Sequence, residues 1–143
     1  MCYVLILSTT STDDLSRFNS EGIHFDRKIP EHLPTVLLLY SHTWYVGSRT
    51  GCSCSFRHLS GPQFGFGVPE DWFPEEQADI DATLEFIRLI RALVIKGEHV
   101  DCIDTWDGQG AGEPVASLPV NLSKIRDEEF RFFENHHFDF RME

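Results

Sequence analysis

Positive charge is scarce in this sequence. Its 143 residues hold 12 Lys and Arg against 23 Asp and Glu, a formal net charge of −11. Phosphate backbones repel such a surface, and nucleic-acid binding needs a clustered basic face. Arg88 and Arg91 fall close together on an expected helix, but two arginines do not make a patch. No nucleic-acid partner is therefore expected, and attraction to an anionic membrane surface is disfavoured on the same grounds. Long apolar runs are missing too: none reaches the roughly 18–20 residues that span a bilayer. Residues 4–7 are apolar but too few for a secretory signal, and Asp13 and Asp14 soon follow. The expected compartment is the cytoplasm, where the four cysteines are thiols or ligands rather than structural disulfides.

Familiar chemical motifs are also absent. There is no Cys-x-x-Cys of the thioredoxin kind. Gly108, Gly110 and Gly112 follow an expected strand, but Pro114 comes next and no helix opens to cradle a phosphate. Asp101, Asp104 and Asp107 do not share one face of a strand, which argues against a paired-carboxylate hydrolase site. His136 and His137 are adjacent, so on a strand they point to opposite faces and do not share a metal. His24, His32, His42, His58 and His99 are scattered and expected to be surface or hydrogen-bonded residues. No internal repeat or low-complexity tract is found.

What the chain does contain is a core. Its length suits one domain covering residues 1–143. Twelve phenylalanines predict a core built largely from rings. Residues 3–8 read as a strand ending at a Ser/Thr run. Residues 9–34 read as irregular, with a short helix over 13–18. Residues 35–40 and 44–48 read as a hairpin turning through Ser41-His42-Thr43, the first strand nearly all apolar and therefore central. Residues 59–74 form a Gly/Pro-rich loop carrying Phe64, Phe66, Trp72 and Phe73, expected to fold back over the core edge or else to line a pocket or partner surface. Pro74-Glu75-Glu76 opens a helix running to about Ile95, with Ile80, Leu84, Ile87, Ile90 or Arg91, and Val94 as its apolar stripe and Gly97 as its C-cap. Residues 99–106 read as a strand with a glycine-rich exit. Residues 121–125 read as a helical turn or short strand, and residues 130–140 as one or two strands closing the sheet. The expected class is α+β: a mixed, mainly antiparallel sheet with one long helix packed on a face.

Candidate chemistry centres on Cys52 and Cys54 in Gly51-Cys52-Ser53-Cys54-Ser55-Phe56, with Cys2 on the first strand as a third member. Zinc takes four tetrahedral ligands, mostly Cys and His. These thiols supply three, and a histidine such as His58 is the candidate fourth. A vicinal thiol pair also suits redox chemistry, with Arg49 and Arg57 placed to favour the thiolate. An amino-terminal Cys2 nucleophile would need Met1 removed. Against all of these stands simple burial, because residues two apart on an extended segment point the same way and free cysteine packs well.

Met1-Cys2-Tyr3, the Gly51–Phe56 motif after an aromatic strand and Trp106-Asp107-Gly108 after the long helix resemble a family of small uncharacterised bacterial proteins. Its members begin Met-Cys and carry Gly-Cys-x-Cys-Gly-Phe; here Ser55 stands where the family has glycine. The resemblance spans most of the chain. It implies a small bacterial cytoplasmic protein and supplies no activity.

The resulting expectation is a small binding or interaction protein, its partner a protein or small molecule, whose cysteines form a mainly structural turn with two inward thiols. The alternative is a zinc-binding or thiol-redox protein using Cys2, Cys52 and Cys54. The aromatic tail makes a homodimer reasonable. No catalytic residue is assigned.

Overall fold

A computed structural model describes residues 2–30, 33, 35–59, 65–106 and 116–143. In chain order the elements are β1 (Tyr3–Thr9), β2 (Ile23–Asp26), β3 (His42–Ser48), β4 (His58–Leu59), α1 (Gln77–Ile95), β5 (Val100–Trp106), β6 (Ala116–Asn121), β7 (Phe132–Phe133) and β8 (His136–Arg141). Six of the strands form one sheet in the order β2-β3-β1-β5-β8-β6, antiparallel throughout except for the β6–β8 pair. β4 and β7 make a separate parallel pair. With a single long helix on one face, this is the expected α+β class. No helix among the described residues is long and apolar enough to cross a membrane.

The helix face carries the main core. Alternation along β1 sends Leu5 and Leu7 there, along β5 Val100 and Cys102, and along β8 Phe138 and Phe140. α1 lays Ala82, Phe86, Ile87, Ile90 and Leu93 onto them. The stripe is thus rotated from the expected one, sharing with it Ile87 and Ile90 and, half-buried at its end, Val94. The reason lies in the rings: Phe86 sits 5.2 Å from Phe132 and 6.2 Å from Phe130, and these in turn meet Phe138 and Phe140. Such ring pairs add about 0.5–1.5 kcal/mol each beyond area burial, enough to decide which side of a helix turns inward. Gly97 ends the helix at φ 94°, with Glu98 N–H on Leu93 O and Gly97 N–H on Val94 O.

The opposite face carries a smaller core of Val4, Ile6, Leu33 and Ile103, covered by Ile29, Leu37 and Leu38. Here the expected hairpin is corrected. Residues 35–40 do not form a strand: Thr35–Leu37 is a 3-10 turn, and pairing begins only at His42. The central strands are β1 and β5, and β1 already has β3 and β5 on its two edges. No position beside β1 remains for the apolar run, so it crosses the sheet and covers the second core with Leu37 and Leu38, leaving Leu39 exposed. Its backbone amides find side-chain acceptors instead. Leu39 N–H donates to Asp101 Oδ2 (2.9 Å) and Tyr40 N–H to Ser8 Oγ (3.1 Å).

Two further expectations change. Residues 9–34 contain β2, which buries Ile23 and Phe25 and exposes His24 and Asp26, besides the 3-10 turn Leu15–Phe18. The tail strand β8 does not close the sheet but lies inside it, and β6 is the edge. Pro119 fits that position because an edge strand can spare a backbone donor. Residues 122–125 are a turn, held by Arg91 through Leu122 O (2.6 Å) and Ile125 O (3.0 Å).

Candidate metal centre

The Cys52–Cys54 loop is built to dock on β1. Gly51 adopts φ 89° after β3, and its carbonyl passes so close to Gly47 that a Cβ there would lie 2.8 Å from it. Ser48 braces the turn, its amide and hydroxyl both on Cys52 O. Ser53 then turns inward: fully buried, its Oγ accepts Leu5 N–H (2.8 Å) and donates to Val46 O. Ser53 N–H meets Tyr3 O, and Tyr3 N–H meets Cys54 Sγ at 3.2 Å. The loop thereby occupies the edge of β1 that β3 has vacated. It is the middle residue, Ser53, that points into the protein. Cys52 and Cys54 share the other side and are half-buried, which corrects the expectation of two inward thiols.

Docking brings Cys2 alongside. The three sulfurs of Cys2, Cys52 and Cys54 all lie within 4.8 Å of one another. Among the described residues no further His, Cys, Asp or Glu joins them. His58 is not the fourth ligand: its Nδ1 faces Phe56 O (3.2 Å) and its Nε2 Asp104 Oδ1 (3.1 Å). Cys102 is buried in the main core, where burial pushes its thiol up, and takes no part.

The thiols divide one charge unequally. Burial opposes a thiolate at Cys52, yet hydrogen bonds from the Thr50 hydroxyl, the Cys54 thiol and amide and the Cys2 thiol prevail, and its pKa falls to about 7. At Cys54 burial and donation of its own proton to Cys52 raise the pKa to about 12. The flanking arginines do not contribute as expected. Arg49 pairs with Glu76 and Asp79, and Arg57 is buried against Glu75 and three carbonyls. Hydroxyl, thiol and amide donors do the work assigned to them.

Beside the loop, Tyr3 lies between His58 and Trp106, with ring centroids at 4.0 and 4.3 Å. Glu134 receives the Tyr3 hydroxyl and the Trp106 indole N–H. Asp104 lies beneath, fully buried, with Oδ2 lacking a partner among the described residues. Of these neighbours only His58 was singled out with the thiols in the sequence, as a ligand; for Tyr3 the alternation with Leu5 was the available signal. Asp101 and Asp104 lie on opposite faces, as do His136 and His137. His24 and His99 are exposed and His42 half-buried, while His32, Met1, Asp107 and Phe64 lie outside the described residues. In the aromatic loop Phe66 stacks on Phe130 and Phe133, whereas Trp72 is 60% exposed and Phe73 borders a shallow pocket with His58 and Glu75. No family model, curated protein or solved structure matches the chain.

Proposed function

We propose that this is a metal-binding protein whose centre is the trio Cys2, Cys52 and Cys54, with zinc as its ion. The observation that carries the reading is the convergence of three sulfurs from two distant segments within 4.8 Å. Around zinc, with Zn–S bonds of about 2.3 Å, tetrahedral sulfurs stand roughly 3.8 Å apart, so only a small inward movement is needed. Tyr3 N–H on Cys54 Sγ and the Cys54 amide on Cys52 are the outer contacts that stabilise metal-bound thiolates. With three protein ligands among the described residues, the fourth position falls to water or substrate, the arrangement of sites that do chemistry rather than purely structural ones.

The test is zinc titration of the untagged protein against a chromophoric chelator. One ion per chain is expected, with proton release on uptake and affinity rising between pH 6 and 8, because Cys54 must give up a proton held well above neutrality. Cys54→Ser is expected to weaken binding by more than the roughly 10–100-fold that a merely supporting residue is worth. Failure to retain zinc at one equivalent would overturn the proposal.

The lowered Cys52 pKa favours a second reading, thiol–disulfide exchange. Cys52 is the attacking thiolate and Cys54, whose proton it already shares, the resolving thiol. Mild oxidation would then join Cys52 to Cys54 with loss of two hydrogens, readable by peptide mass mapping, and a reductant would restore them.

A further inference from the structure

A row of hydrogen-bonding side chains crosses the sheet face opposite α1 and includes none of the cysteines. It begins at the loop over the second core and ends at the sheet edge. Tyr40 N–H donates to Ser8 Oγ (3.1 Å), and Ser8 Oγ–H donates to Asp101 Oδ1 in a short contact. Leu39 N–H donates to Asp101 Oδ2 (2.9 Å). His137 Nε2 meets the same Oδ2 at 2.7 Å, and His137 Nδ1 meets Ser117 Oγ at 2.7 Å.

With Asp101 ionised and His137 neutral, one placement of protons satisfies all of these contacts. Ser8 already accepts from Tyr40, so its own hydrogen goes to Asp101. Asp101 receives three donors, as an ionised carboxylate does. The imidazole hydrogen therefore sits on Nε2, and the Nδ1 lone pair faces the Ser117 hydroxyl. Asp101 is fully buried, His137 nearly so, and Ser117 is exposed on the edge strand β6. Register puts them together: Ser117 is the cross-strand partner of His137, and Asp101 of Asp139, two residues further along β8 on the same face.

We propose that Ser117, His137 and Asp101 form a second, catalytic site that hydrolyses carboxylic esters through an acyl-serine. The nucleophile, the base and a buried carboxylate that orients the base are recognised by geometry and role, whatever their order in the chain. Ser117 Oγ attacks the ester carbonyl carbon while its proton passes to His137 Nδ1. The ester C–O bond breaks, and the departing alkoxide takes that proton. Water then attacks the acyl-serine, yields its proton to His137 Nδ1 and releases the acid as Ser117 regains its hydrogen. The balance is ester plus water to acid plus alcohol. An exposed serine suits an ester, the more reactive acyl donor, better than an amide. Asp101 is a positioning residue, fixing tautomer and ring.

The experiment is labelling of the full chain with a fluorophosphonate, followed by peptide mapping. Expected is one modification at Ser117, absent in Ser117→Ala and retained in Ser123→Ala, an exposed serine of the turn after β6. His137→Gln is expected to slow labelling by about 10²–10⁴-fold, the contribution of a positioned general base. Nitrogen NMR of the wild type is expected to show the Nε2–H tautomer of His137, and Asp101→Asn to lose that preference along with labelling. No label at Ser117, label persisting in Ser117→Ala, or an unchanged rate in His137→Gln would overturn the proposal. Ser117 is exposed, so its alanine variant tests the idea without threatening the fold.

Discussion

The two faces of the sheet each hold a buried histidine–aspartate pair, and the pairs differ in what the second ring nitrogen meets. On the helix side His58 and Asp104 are 3.1 Å apart with side chains 7% and 0% exposed; on the other side His137 and Asp101 are 2.7 Å apart at 9% and 0%. Burial and partner are nearly the same. His58, however, gives its other nitrogen to the Phe56 carbonyl and its ring face to Tyr3, while Asp104 keeps one oxygen without a partner among the described residues. Neither nitrogen of His58 is left to meet an exposed group. Asp101 has three donors, and the free nitrogen of its histidine meets an exposed hydroxyl. A buried ion pair thus says little about function until the rest of its hydrogen bonds are accounted for.

The comparison breaks most visibly at His58. His58→Ala leaves Asp104 as an uncompensated buried charge and is expected to cost about 3–5 kcal/mol, measured by urea unfolding. A cost below about 1 kcal/mol would mean that Asp104 is solvated or already neutral. His137→Ala is expected to cost less, about 1–3 kcal/mol, because Asp101 retains the Ser8 and Leu39 donors.

A smaller effect sharpens the contrast through pH. Burial opposes a charged His58, but the Asp104 carboxylate and its hydrogen bond outweigh it, and the pKa rises above the ordinary 6.5. Burial likewise raises Asp104, against the pull of His58. For His58 the folded state holds the proton more tightly than the unfolded chain. Its contribution to stability is complete below pH 6.5 and is lost as pH climbs through the raised value. Raised Asp104 acts with the same sign in the acid range. The lowered Cys52 pKa acts with the opposite sign over the same interval, so the His58 contribution is read as the difference between wild type and His58→Gln, which is expected to shrink from pH 6 towards pH 8. A difference that grows over this interval would reverse the assignment. The smallest effect expected is on the open side, where Ser117→Ala changes stability by no more than about 0.5 kcal/mol while removing the proposed activity.

Much of the scaffold was legible. β1, β5, α1 and the phenylalanine-rich tail announce themselves by period and composition. The run at residues 36–40 misleads because continuous apolarity marks a buried strand and a buried covering segment alike. β2 is four residues long and β6 carries a proline, so neither presents a period. In the candidate centre the three cysteines were identifiable by type, Cys2 included. Their half-exposed setting and unequal pKa values were not, because these depend on Ser53 taking the inward position and on amides supplied by β1. Ser117, His137 and Asp101 offered no pattern at all.

The periodicities that commit β1, β5 and α1 to their elements, the ring-rich core, the excess of acidic residues and the stock of reactive side chains are written in the order and kind of the amino acids. Those properties are local or additive. Which side chains meet is set by the fold alone. The apolar run became a cover because both edges of β1 were taken. Cys2 reached the Cys52–Cys54 loop because that loop replaces β3 along β1. A serine, a histidine and an aspartate from three strands fell into line because pairing register, a relation between distant segments, set them on one face.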